Sequence, residues 1–219
     1  MNYRKDIAVL QGSRGAIELT REQFKGVTGL AEYPPFLRNS VRGDRLEYVA
    51  RNSVSYTLRG VHVKLDVLWD FEAPPGGKDT ELAIFRGSRV RVEVRQGREE
   101  NFVPEVFVVP NRAEDRAAVD AALRRRLARL GTAFPGLALQ AEGPRFRVVI
   151  PASQRVSHEE HFALLVRQFL TYQKNPDIIP EWETPFMLAK YRVTTEGVRL
   201  GRSSSRRSRA APRNGSWRG

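Results

Sequence analysis

Hydrophobic and polar residues alternate from Val61 to Phe71, with Leu68 the one apolar residue among the polar positions. Val61, Val63, Leu65, Val67, Trp69 and Phe71 take every second position, with His62, Lys64, Asp66, Leu68 and Asp70 between them. A period of two sends the two sets to opposite faces of a β-sheet. Residues 88–96 repeat the pattern, Val90, Val92 and Val94 alternating with Arg89, Arg91, Glu93 and Arg95. Between the two lie Ala73-Pro74-Pro75-Gly76-Gly77-Lys78-Asp79, read as a hairpin turn, then a returning strand over 80–86 and a break at Gly87. Residues 53–96 therefore predict a meander of three or four antiparallel strands with one apolar and one charged face. The charged face is mixed in sign, so opposite charges can face each other on neighbouring strands.

The remaining elements follow from punctuation. A short strand is expected at the N-terminus around Ile7–Leu10, then a loop over 11–15. Thr20 and Gln23 form a capping box for a short helix that Gly26 and Gly29 end. A strand fits 46–51, and Asn52-Ser53 reads as the turn into the meander. Another strand fits 103–109, with Pro104 marking a sheet border. Asn111 reads as the cap of a helix whose stripe is Val119, Leu123, Leu127, Leu130 and Phe134, at steps of four, four, three and four. A hairpin is expected around Gly143-Pro144. Ser157 opens a second long helix, with Phe162, Leu165, Val166, Phe169 and Leu170 inward, and Asn175-Pro176 stops it. Residues 178–190 read as an irregular packed segment and 191–194 as a last strand. The fold class is thus α+β, an open, predominantly antiparallel sheet with helices packed on one face.

Composition narrows the classes. The chain has 219 residues, 41% of them hydrophobic, enough to bury a core. No apolar run reaches the roughly 20 residues that span a bilayer, and no apolar segment follows the N-terminal residues as a secretory signal would. Cysteine is absent, which excludes disulfides, thiolate metal sites and a cysteine nucleophile, and fits a cytoplasmic protein. The net charge is +12, but the seven arginines from Arg199 onward carry no acid among them, so residues 1–198 hold only +5. Residues 201–219 are Arg/Ser-rich with little apolar surface and are expected to be disordered. A nucleic-acid contact is conceivable only through this tail, and a single Trp217 makes a poor stacking platform.

Candidate chemistry is sparse. His158-Glu159-Glu160-His161 spaces its histidines at i, i+3, where the zinc pattern needs i, i+4; Ser157 and Glu160 explain the cluster as a capping box. Gly76-Gly77-Lys78 lacks the rest of a phosphate loop, and no G-x-G-x-x-G occurs. His62 and Lys64, beside Asp66, could bind a sugar or carboxylate on the polar face, although alternating charge is also the default for a half-exposed strand.

Several segments in order resemble the C-terminal domain of a subgroup of the Gfo/Idh/MocA oxidoreductases. They are Tyr3-Arg4-Lys5-Asp6-Ile7, Gly29-Leu30-Ala31-Glu32-Tyr33-Pro34, residues 52–63, Trp69-Asp70-Phe71-Glu72-Ala73-Pro74, Gly77-Lys78-Asp79-Thr80, Arg86-Gly87-Ser88, Val94-Arg95-Gln96-Gly97 and Met187-Leu188-Ala189-Lys190-Tyr191. The resemblance covers residues 3–200. It implies a substrate-side domain whose sheet supplies an oligomer interface, beside a Rossmann domain that binds NAD or NADP and acts on a sugar or polyol. This chain has neither the Gly-rich turn nor the family's Glu-Lys-Pro, so no catalytic, cofactor-binding or metal-binding residue carries over. His62, Lys64 and Lys190 remain as substrate-side candidates. The expectation is a substrate-binding and oligomerisation domain, inactive alone, from a split or internally started gene, its Rossmann domain supplied in cis or trans. Two other readings stand beside it: a stand-alone module dimerising through the His62/Lys64/Asp66 face, and a basic nucleic-acid accessory protein.

Overall fold

A computed structural model of the protein describes residues 1–73 and 75–210, and of 204–210 the backbone alone. The chain divides into two compact units, one formed by residues 1–72 with 175 onward and the other by residues 73–174. Each carries its own antiparallel sheet. The α+β, antiparallel class holds, but the single meander does not.

The first unit is built on β1 (Ile7–Leu19), β2 (Val41–Arg42), β3 (Arg45–Leu58) and β4 (Val61–Leu68). β3 is central, pairing with β1 on one side and with β2 and β4 on the other. Arg59 and Gly60 join β3 to β4, both at positive φ (48° and 81°), the two-residue turn whose twist matches a hairpin. Asn52-Ser53 is no turn: β3 runs straight through it. Nor is 11–15 a loop. Those residues lie inside β1, which absorbs register shifts between Val9 and Gln11 and between Gly15 and Ala16.

α1 (Arg21–Thr28) has the expected capping box, the Gln23 amide donating to Thr20 Oγ1 at 3.2 Å and the Thr20 amide to Gln23 Oε1 at 2.9 Å, and Gly29 ends it at φ 75°. Phe24 packs there on Leu19 and Leu46. The other α-helix of this unit among the described residues is α4 (Glu183–Ala210), the longest of those described. It replaces the expected strand at 191–194 and most of the irregular segment before it. Its helical backbone also covers Gly201–Ala210, where the composition argued against folding; 211–219 lie outside the described residues. The β-branched run Val193-Thr194-Thr195 favours a strand locally. Packing prevails because Ala189, Val193, Gly197 and Gly201 recur at steps of four and turn one low-bulk face of the helix to the sheet. Ala189 and Val193 pack on Ile7 and Val54, and the helix comes so close that Gly12 meets the Gly197 backbone.

The second unit orders its strands as β5 (Glu81–Arg86), β6 (Val90–Gln96), β7 (Glu105–Pro110), β9 (Arg145–Val149) and β8 (Ala138–Glu142). The Pro/Gly segment after Glu72 leads from one unit to the other and does not close a hairpin; Pro74 lies outside the described residues. The hairpin at Gly143-Pro144 is present. α2 (Arg116–Leu130) follows a 3₁₀ turn over Ala113–Asp115, so Asn111 does not cap it; its side chain donates to the Gly87 carbonyl at 2.9 Å. Val119, Leu123, Leu127 and Leu130 of the expected stripe are half-buried, but Phe134 lies beyond the end of the helix and is exposed. The Arg116 guanidinium lies 4.4 Å from the centroid of the buried Phe146 ring on the apolar side of this sheet. α3 (His158–Lys174) keeps its expected bounds and its box, the Glu160 amide donating to Ser157 Oγ at 3.1 Å. Its stripe does not turn inward: Phe162, Leu165 and Phe169 are exposed.

Candidate functional site

The alternation in β4 places its side chains as the sequence requires. Tyr56 is opposite Val63 and Val54 opposite Leu65 on the face that α4 covers at β1 and β3. The other face carries polar rows across three strands. Ser13, Ser53 and Asp66 form one row, and Gln11, Ser55 and Lys64 the next. Thr57 and His62 continue the pattern toward the turn. These rows line a shallow depression of about 500 Å³, with Arg51 and Gly15 on its rim.

Lys64, Asp66 and Arg51 are paired. Lys64 Nζ stands 3.0 Å from Asp66 Oδ2. A hydrogen bond from Ser53, and then the Lys64 ammonium, hold the Asp66 carboxyl below the usual carboxylate range. Arg51 Nε donates to Asp70 Oδ1 at 3.1 Å. Hydroxyls both donate and accept, the carboxylate accepts and the ammonium donates. Such a surface can grip a polyhydroxylated ligand, but it holds no buried acid or base suited to proton transfer.

His62 and Lys64 thus share one face. His62 is exposed and outside the depression. Lys190 is not brought to them: it is exposed on α4, the helix that packs against the opposite face. The side chains of Arg206, Arg207 and Arg209, and all of Arg213, Trp217 and Arg218, lie outside the described residues. Among those described, no cluster of side chains can hold a metal ion, and no helix is long and apolar enough to cross a membrane.

The second unit holds a charged cluster that sequence reasoning did not single out. Glu93, only 2% exposed, accepts from Arg91 Nε at 2.5 Å and from Arg95 Nε at 2.8 Å. Burial alone would raise the Glu93 carboxyl; hydrogen bonds from Arg91 and Arg95 and their positive charge outweigh it and hold the carboxyl low. Glu105, also buried, accepts from Arg155 at 2.8 Å and pairs with Arg147 at 3.0 Å. Phe107 sits between these groups, with the Arg145 guanidinium 4.0 Å from its ring centroid. The signal lay in the sequence, since Arg91, Glu93 and Arg95 share a face at a period of two. Every carboxylate here is matched by a guanidinium on its own or a neighbouring strand, which marks the cluster as structural.

Comparison with known proteins fixes the lineage. Residues 1–202 match the family model described as "Putative oxidoreductase C terminal domain". The chain belongs to this family. A solved structure described as a "putative oxidoreductase" from Parabacteroides merdae matches the chain with a TM-score of 0.88 and 36% identity, covering 93% of it. That protein is longer, and the chain spans 46% of its length. No curated protein matches. The polar face thus lies within a domain of this family.

Proposed function

We propose that the chain is the substrate-binding and oligomerisation domain of a Gfo/Idh/MocA-like, NAD(P)-dependent oxidoreductase acting on a sugar or polyol. The nicotinamide is held by a Rossmann domain, and the chain is not competent for hydride transfer by itself. One observation carries the substrate side: the rows Ser13–Ser53–Asp66 and Gln11–Ser55–Lys64 set short hydroxyls beside a charged donor and acceptor on an open face. A sugar ring offers alternating donors and acceptors at similar spacing, and such rows can match it without burying a charge. His62 extends the face, and Lys190 falls outside it. Hydride transfer itself needs a cofactor positioned against the substrate.

In an NMR titration of the chain with hexoses and inositols, amide shifts are expected at Ser53, Ser55, Lys64 and Asp66, with millimolar affinity. Lys64→Ala should weaken binding about tenfold, equivalent to losing one hydrogen bond to a charged group. Shifts elsewhere only, or binding indifferent to Lys64→Ala, would remove the substrate assignment.

A further inference from the structure

β4 is an edge strand, and its free side is self-complementary. Its backbone polarity follows from two observations. Arg59-Gly60 closes a two-residue hairpin with Leu58 opposite Val61, and the Trp69 amide donates back to the Ala50 carbonyl at 3.1 Å. Odd-numbered residues of β4 therefore turn their N–H and C=O groups toward β3. Even-numbered ones, His62, Lys64, Asp66 and Leu68, turn theirs outward. Among the described residues no strand pairs with that outer edge. Natural sheets blunt exposed edges with bulges, proline or charge. β1, the opposite edge, has two register shifts. β4 pairs with β3 without a shift over Val61–Leu68 and contains no proline or glycine. Its apolar side chains stay open, Val61 at 66% and Val67 at 54% exposure.

We propose that β4 pairs antiparallel, edge to edge, with β4 of a second copy of this chain, about a two-fold axis at Leu65. This deepens the oligomerisation part of the function proposed above and rests on it. The register is selected by charge. With the axis at Leu65, Lys64 stands opposite Asp66 of the second copy, and Asp66 opposite its Lys64. These are the residues whose backbone groups point outward, so the same pairs exchange the new ladder hydrogen bonds. On the other face Leu65 meets Leu65 and Val63 meets Val67, covering side chains now in solvent. Sliding by two residues in one direction sets Lys64 against Lys64, and in the other Asp66 against Asp66. Like charges directly opposite destabilise a strand pair. A lysine in mid-strand guards a lone edge against chance partners, and the aspartate two positions on makes this edge accept its own copy. The pairing joins the two polar faces into one continuous surface.

The test uses the full chain in sedimentation, with circular dichroism to verify folding. The wild type is expected at about twice its 24.9 kDa. Lys64→Asp and Asp66→Lys each place like charges opposite and should each sediment as monomer. An equimolar mixture of the two should recover the dimer, because only the mixed pair is complementary. The chain contains no cysteine, so Leu65→Cys alone should form a symmetric disulfide under mild oxidation; residues opposite in a non-hydrogen-bonded pair lie about 4.5 Å apart at Cα, within disulfide reach. Val63→Cys alone should not cross-link. A wild type that stays monomeric overturns both this pairing and the oligomerisation reading. A wild-type dimer that Leu65→Cys does not cross-link, or that the mixed variants do not restore, overturns the edge pairing and leaves oligomerisation to another surface.

Discussion

Gly12→Ala is expected to cost the protein about 3 kcal/mol or more of folding stability, the upper part of the range for overpacking a close contact. A Cβ built at Gly12 would stand 2.0 Å from the Gly197 carbonyl oxygen and 2.9 Å from its carbon. Both are backbone atoms of α4, so no side chain can rotate away. Either the helix lifts from β1 or the strand shifts, and each opens the cluster of Ile7, Val54, Ala189 and Val193. Two controls separate this from a general effect of adding a methyl group. Gly197→Ala brings its Cβ to 3.0 Å from Cγ2 and 3.2 Å from Cβ of the buried Val54, a stiff side chain whose Cβ no rotation moves, against a gain of about 1 kcal/mol in helix propensity. Its net effect should be a loss of about 1 kcal/mol, smaller than that of Gly12→Ala because no backbone atom is struck. Gly26→Ala, inside α1 with nothing within 4 Å, should stabilise by about 0.5–1 kcal/mol. Urea unfolding of the three variants checks the order. If Gly12→Ala is as stable as Gly26→Ala, the close approach of α4 to β1 is wrong.

Glu93→Gln is expected to destabilise by about 2–3 kcal/mol, below the usual cost of breaking a fully buried pair. The discount follows from Arg91 and Arg95, whose side chains are 35% and 32% exposed and regain some water. The glutamine keeps the shape but takes the counter-charge from Arg91 and from Arg95, the latter lying over the buried Phe107 ring. The pH dependence has a definite sign. The folded Glu93 carboxyl is held below its unfolded value near 4.3. Its contribution is therefore complete above about pH 4.3 and is lost as pH falls through the lowered folded value. Urea midpoints against pH should show a flatter acid limb for Glu93→Gln than for the wild type. Parallel acid limbs would mean that folding does not shift the Glu93 carboxyl, and a steeper limb for Glu93→Gln that folding raises it.

What was legible in the sequence tracks how local each signal is. The period of two in β4, the two capping boxes and the Gly143-Pro144 hairpin depend on a few neighbouring residues, and all are found. The misreadings share a cause. Asn52-Ser53 and Gln11 to Gly15 look like loops because short polar residues and glycine favour turns. Here Ser13, Ser53 and Ser55 are polar because they line one face of a sheet, and Gly12 is small because a helix backbone comes against it. Val193-Thr194-Thr195 has strand propensity, and only the sheet beneath explains why it is helical. The division into two sheets was hidden because the Pro/Gly segment after Glu72 suits a hairpin as well as a connection between units. The substrate-side candidates fared by the same rule: His62 and Lys64 share a strand and were placed on one face correctly, whereas the position of Lys190 depends on how α4 packs.

The most direct test of the account is a fluorescence titration of the purified chain with NADH and NADPH. A substrate-side domain whose cofactor is held elsewhere should show no saturation at micromolar concentrations with either nucleotide. A saturating curve with either one would mean that the chain binds nicotinamide itself, and the proposed division of labour between two domains would fail.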